Sequence, residues 1–116
     1  MDSEKKQLTI LQLYEIDVMR TARTDLSPID QLTNAAIGAA GEAGELAELI
    51  KKHRYQGHEL DRAKWLEEAG DTLFYLTLGL VEQGYTLEDC ITRNVLKRGI
   101  RYPQGFDAAC SRDRGR

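Results

Sequence analysis

This chain has little that would cross-link it or interrupt a helix. Its 116 residues include two cysteines, two prolines and one tryptophan. Cys90 and Cys110 have no metal-ligand spacing, so they read as reduced thiols of a cytoplasmic protein rather than as a disulfide. The prolines, Pro28 and Pro103, fall near the ends of the helical region, and no alternating strand pattern of useful length lies between them. Long apolar runs are missing too. The opening Asp2-Ser3-Glu4-Lys5-Lys6-Gln7 is polar, and no segment reaches signal-peptide or membrane length. A net charge of −3 argues against binding nucleic acid through bulk electrostatics. With 41% hydrophobic and 30% charged residues, the composition is that of one globular domain, assigned here to residues 1–106. The charged, Gly-containing segment 107–116 reads as a mobile tail.

The remaining pattern is helical. A first helix is expected from about Leu8 to Arg23, with Leu11, Tyr14, Val18 and Ala22 on one face. Ser27-Pro28 opens a second, serine capping and proline filling the first turn. Leu32, Ala36, Ala39, Ala43, Leu46 and Ile50 predict its packed seam, which ends near His53. A third helix begins near Asp61, with Leu66, Ala69, Leu73, Leu76 and Leu80 as its seam. Thr86-Leu87-Glu88-Asp89 is a capping-box variant opening a fourth helix to about Arg98. Short loops make an all-α, antiparallel four-helix bundle the expected architecture, and its small core predicts association between copies.

Inside the second helix, Gly38, Gly41 and Gly44 recur every third residue, each costing on the order of 1 kcal/mol relative to alanine. Close helix contact explains that spacing, and so does clearance for a ligand. The same segment carries Glu42-Ala-Gly-Glu45, and the third helix carries Glu68-Ala-Gly-Asp71. Residues three apart on a helix lie about 60° apart around the axis and about 4.5 Å along it, so each pair aims two carboxylates at one place. If the helices pack antiparallel, four carboxylates converge and repel unless a cation joins them. Oxygen donors of this kind suit a hard ion, Mg²⁺ or Mn²⁺. A solvated helix face is the competing reading, but the acids flank the apolar seams. A di-iron carboxylate bundle is disfavoured because neither pair supplies the Glu-x-x-His ligand that such sites use.

Three segments then resemble one family. Gly41-Glu42-Ala43-Gly44-Glu45-Leu46, Leu66-Glu67-Glu68-Ala69-Gly70-Asp71 and Asn94 through Phe106, with its Arg101-Tyr102-Pro103-x-Gly105-Phe106 ending, are similar to the MazG-like all-α nucleoside triphosphate pyrophosphohydrolases. Arg20-Thr21-Ala22-Arg23-Thr24 is similar to the family's first helix, so the resemblance covers about Tyr14 to Phe106. It implies Mg²⁺-dependent hydrolysis of a nucleoside triphosphate at the α–β phosphoanhydride, giving the monophosphate and pyrophosphate. Glu42, Glu45, Glu68 and Asp71 would be metal ligands, with Glu42 or Glu45 also the catalytic base. Certain members carry an extra glutamate before the first pair, where this chain has Gly41, which leaves the base open between those two and Glu67.

Asn94, Lys97 and Arg101 share a helical face that could cradle phosphates, although on composition alone complementing the helix dipole is the stronger explanation. The resemblance reverses this and implies that they and Tyr102 contact the nucleotide. Lys52 is a further phosphate candidate, and Tyr75, one turn beyond Asp71, a candidate for stacking on the base. The resemblance also implies a homodimer or homotetramer and a role in nucleotide-pool clean-up. Phosphoribosyl-ATP pyrophosphohydrolase is the enzymatic alternative, and a non-enzymatic helical interaction module the other.

Overall fold

The computed structural model describes residues 6–113, so parts of the polar N-terminal run and of the expected tail lie outside the described residues. Five helices follow in order: α1 Ile10–Thr21, α2 Pro28–Tyr55, α3 Arg62–Glu82, α4 Leu87–Arg101 and α5 Ala108–Asp113. No strand occurs among the described residues.

Local chemistry sets each helix start. Thr9 and Gln12 form a reciprocal capping box, which begins α1 two residues later than its apolar pattern suggests. Ser27 Oγ accepts from the Asp30 amide at 3.2 Å with Pro28 in the first turn, as the sequence predicts. Asp61 Oδ1 accepts from the Lys64 amide at 2.9 Å. Thr86 and Asp89 form the expected capping box on α4. There the next free amide, Leu87 N–H, donates to Glu15 Oε2 of α1, which ties α1 to the start of α4. Caps of this type are each worth about 1 kcal/mol. Within the expected tail, Asp107 Oδ1 accepts from the Ala109 amide at 2.7 Å and starts the short α5.

The frame is the α2–α3 hairpin. Glu42 meets Glu68, Gly38 meets Tyr75 and Ala35 meets Gly79, so numbers fall along α2 as they rise along α3, the mark of antiparallel packing. Val18 of α1 closes this seam with Ala35 and Leu78, and Tyr14, Met19, Ala22, Phe74 and Tyr75 pack around them.

The register of the seam differs from the expected one. On α2 the inward stripe is Gln31, Ala35, Gly38 and Glu42, while Ala36, Ala43 and Ile50 are exposed. On α3 the buried residues are Glu68, Thr77, Leu78 and Gly79; Leu66, Leu73 and Leu76 face outward, at 75%, 42% and 51% exposure. On α3, Gly79 lies inside beside Leu78 and lets Ala35 and Leu32 of α2 approach, whereas Leu66, Leu73 and Leu76 are left outside. On α2, Leu32, Ala39 and Leu46 of the expected seam stay half-buried.

Of the three helical glycines spaced every third residue, only Gly38 is in helix contact; a side chain at Gly41 or Gly44 would meet nothing within 4 Å. α4 buries Leu87 alone and leaves residues 88–100 exposed. The radius of gyration is 18.2 Å, against about 13 Å for a compact chain of this length. Much apolar surface remains on the outside of the molecule.

Candidate metal centre

The inward register places acids in the α2–α3 seam. One carboxylate oxygen each from Glu42, Glu68 and Asp71 lies within 4.8 Å of the others. Glu68 is only 6% exposed, Glu42 is half-buried and Asp71 opens to solvent. Glu42 and Glu68 stand on facing helices, and Asp71 follows Glu68 by one turn, so the antiparallel pairing itself assembles the group. Glu45 lies outside this three-oxygen cluster and is exposed, although its charge still acts on Glu42.

Electrostatics at the cluster are unfavourable for three anions. The Glu42 carboxyl is pushed above its ordinary value of 4.5, first by a hydrogen bond to the Glu68 side chain, then by burial, then by the charges of Glu68, Asp71 and Glu45. Two carboxyls in hydrogen-bond contact must share a proton or a cation. Oxygens around an ion held at about 2.1 Å lie roughly 3–4.2 Å apart, and the three here, all within 4.8 Å of one another, need only small side-chain rotations to reach that spread. The residues thus fit a hard divalent cation. Glu42, Glu68 and Asp71 would hold it, with Glu45 within electrostatic reach.

Two neighbours escaped the sequence reading. Lys64 Nζ lies 3.4 Å from Glu68 Oε1 and 3.7 Å from Glu67 Oε2, and Lys64 is held above the usual lysine range, chiefly by its hydrogen bond to Glu68. The signal was legible: Lys64 precedes Glu68 by four residues, which puts both on one face. Tyr14 of α1 borders the site; burial raises its hydroxyl most, with smaller contributions from the charges of Asp17 and Asp71. Nothing in the sequence aims α1 at that point.

The other expected residues are placed elsewhere. Tyr75 packs its ring on Gly38 and edge-on against Phe74, at 5.1 Å between centroids. Asn94 and Lys97 line an open groove of about 970 Å³ with Leu80, Gly84 and Tyr85, and Asn94 Oδ1 accepts from Arg98 Nε at 2.9 Å. Leu80 follows Asp71 by nine residues, so the α3 wall of that groove lies about 14 Å along the helix from Asp71. Arg101 is half-buried at the end of α4, and Tyr102 caps that helix while packing against Phe106 at 5.5 Å. Lys52 is exposed, and its carbonyl accepts from the Gln56 and His58 amides.

The raised Glu42 sets a pH dependence. In chelator, the unfolded chain loses this proton near 4.5 and the folded chain only at higher pH, so stability falls as pH rises through that interval and is level above it. Glu42→Gln, which stays neutral, is expected to melt increasingly above the wild type as pH climbs from about 4 and to hold a constant advantage near neutrality. Thermal melts in chelator across that range check this; a variant melting below the wild type at neutral pH contradicts the assigned repulsion.

Among the described residues, no helix is long and apolar enough to cross a membrane. No curated protein and no solved structure gives a significant match to the chain. Residues 31–106 match the family described as MazG nucleotide pyrophosphohydrolase domain. That span contains α3, α4 and nearly all of α2, with every carboxylate of the cluster. On this match over most of its length, the chain belongs to the MazG nucleotide pyrophosphohydrolase family.

Proposed function

We propose that the protein is a divalent-cation-dependent hydrolase of (deoxy)nucleoside triphosphates, cutting the α–β phosphoanhydride to release the nucleoside monophosphate and pyrophosphate. The observation that carries this reading is the convergence of Glu42, Glu68 and Asp71 oxygens within 4.8 Å in a seam belonging to a pyrophosphohydrolase family. Mg²⁺, or Mn²⁺ in its place, would supply the positive charge that offsets the phosphate oxygens and lowers the barrier to attack by water. The protein's own part is positioning. Glu42, Glu68 and Asp71 fix where the phosphates bind. Glu45, exposed and outside the three-oxygen group, is the carboxylate free to accept the proton of the attacking water. Open space above Gly41 and Gly44 gives the nucleotide clearance beside Glu42 and Glu45.

The reading includes association as a homodimer or homotetramer. Leu66, Leu73 and Leu76 on α3 and Val95 and Ile100 on α4 are exposed apolar side chains that a second copy would cover. The Asn94–Lys97 groove, whose Leu80 wall lies roughly 14 Å along α3 from Asp71, meets the acids if α4 of one copy serves those of another, bringing Asn94, Lys97, Arg101 and Tyr102 to the phosphates. Lys52, on the last turn of α2, is a further phosphate contact in this arrangement, and Tyr75 supports the seam from within. We place the activity in the cytoplasm, as clean-up of surplus or modified triphosphates.

A panel of ordinary and modified nucleoside triphosphates, and phosphoribosyl-ATP, tests this with and without Mg²⁺. Equimolar monophosphate and pyrophosphate, formed only with the cation, is the expected result. Release of orthophosphate instead, or no turnover of any triphosphate, overturns the reading.

A further inference from the structure

α4 is held to the rest of the fold at one end. Leu87, its first residue, is buried, and residues 88–100 are exposed. Among the described residues, one hydrogen bond joins α4 to another helix: Leu87 N–H donates to Glu15 Oε2 of α1, 72 residues away in the chain. The bond is part-buried, so solvent screens it less than the ion pairs on the outer surface. On the other side, the Gly84 and Tyr85 amides donate back to Val81 and Leu80 of α3. The connecting turn therefore braces α3 and not α4.

Starting α4 does not need Glu15. Thr86 and Asp89 already cap the helix reciprocally, and Glu88 and Asp89 set two negative charges against the positive end of its dipole. Nor does Glu15 belong to the seam. Tyr14 packs against the Val18, Ala35 and Leu78 cluster, and the next residue of α1 points about 100° away from it. What Glu15 adds is a fixed point, because a charged acceptor on a backbone amide makes a strong and directional bond.

That point lies at the base of a lever. Asn94, Lys97 and Arg101 follow Leu87 by 7, 10 and 14 residues, which places them roughly 10, 15 and 21 Å along the axis. A tilt of about 10° at Leu87 would carry Lys97 roughly 2.6 Å and Arg101 roughly 3.7 Å sideways. A binding constellation tolerates displacements of only about 0.5 Å. The groove between the end of α3 and α4, lined by Leu80, Gly84, Asn94 and Lys97, would change width with the same tilt.

We propose that Glu15 is a positioning residue for the substrate: by holding the first amide of α4 it sets the direction of that helix, and so the place of Asn94, Lys97 and Arg101 at the triphosphate. This rests on the hydrolase reading above, in which those three side chains contact phosphate. The effect falls on phosphate binding and not on the cation, because Glu42, Glu68 and Asp71 stand on α2 and α3.

The test uses the full chain as wild type, Glu15→Ala, Glu15→Gln, Leu87→Pro and the double variant Glu15→Ala/Leu87→Pro, each checked by circular dichroism for an unchanged helical spectrum. Alanine suits the interior of α1 at least as well as glutamate. Proline suits the first position of a helix while removing the donor N–H. In Glu15→Ala, hydrogen exchange is expected to run about 10-fold faster across α4, with α2 and α3 as in the wild type. Titration with inorganic tripolyphosphate in saturating Mg²⁺ is expected to give a Kd about 5- to 10-fold higher, because only molecules with α4 in place bind. The Kd for Mn²⁺ alone is expected to stay within about twofold. Glu15→Gln keeps an acceptor oxygen and is expected to recover most of the loss. In the Leu87→Pro background, where the donor is gone, Glu15→Ala is expected to add no further loss. Tripolyphosphate binding equal to that of the wild type in Glu15→Ala overturns the proposal. So does a full further loss in the Leu87→Pro background, which would mean that Glu15 acts elsewhere. Exchange quickened in every helix, or Mn²⁺ binding weakened as much as tripolyphosphate binding, overturns it as well. If the wild type binds tripolyphosphate but cleaves no nucleotide, the hydrolase reading fails while Glu15 keeps its assignment. If the wild type does not bind tripolyphosphate, both fail.

Discussion

Glu68→Gln is expected to lower turnover by on the order of 10²-fold or more and to abolish the rise in melting temperature expected of the wild type in Mg²⁺. Removing a residue that merely supports a ligand costs 10- to 100-fold in affinity or activity, so loss of the most enclosed ligand itself sets a floor near the upper value. Glutamine keeps the shape of the side chain and its place between Glu42 and Lys64. The surrendered ion pair with half-exposed Lys64 is worth little. The helical fold is therefore expected to survive, and the effect belongs to the site. Glu67→Gln is the matched control: one residue away, 69% exposed and outside the cluster, it should leave both readouts close to the wild type. Glu45→Gln separates binding from chemistry. If Glu45 takes the proton from water, its variant loses turnover but keeps the Mg²⁺-induced stabilisation. Steady-state assays with parallel melts with and without millimolar Mg²⁺ measure all three variants. Full activity in Glu68→Gln would contradict the site.

Much of this was legible in the sequence. Helix ends were readable because short side chains set them: Ser27-Pro28, Asp61 and Thr86 with Asp89 all act where their spacing places them. The meeting of Glu42 with Glu68 and Asp71 followed from three-residue spacing and antiparallel packing. The rotation of α2 and α3 about their axes was not legible. Hydrophobicity favours the stripe with the larger side chains, Leu66, Leu73 and Leu76. The chain instead packs Ala35, Gly38 and Gly79 inward, where small size rather than apolar area decides how closely the backbones come. That rotation buries Glu68 and moves Glu45 off the cluster, a distinction that residue spacing alone does not make. The distance between the acids and the Asn94–Lys97 face was equally hidden, since the direction in which α4 leaves α3 depends on the turn at Gly84 (φ 85°) and on the Glu15 tie.

The same preference for small residues makes Gly38 the backbone position with the largest expected stability effect. A Cβ there would stand 2.7 Å from Tyr75 Cγ, with two further ring carbons nearer still. These are inner atoms of a rigid ring, not the end of a flexible chain, and the ring is braced by Phe74. Gly38→Ala gains about 1 kcal/mol of helix propensity, yet overpacking a seam costs about 1–3 kcal/mol, so the net change is destabilising. At Gly41 and Gly44, where nothing lies within 4 Å, the propensity term acts alone and alanine is expected to stabilise by up to about 1 kcal/mol. One substitution type, three positions six residues apart in all, therefore changes sign. Urea denaturation measures it. The consequence reaches the site, because Gly38 lies one turn from Glu42 and Tyr75 one turn from Asp71. A ring pushed outward separates α2 from α3 where the carboxylates must meet, so Gly38→Ala should also weaken Mg²⁺-induced stabilisation. Tyr75→Ala removes the clashing ring, and the double variant should be less destabilised than the sum of the two single changes. Strict additivity would show that Gly38 and Tyr75 do not meet as placed. Gly41→Ala adds a second reading: a more stable protein with reduced turnover would mean that the space above this glycine is filled by substrate.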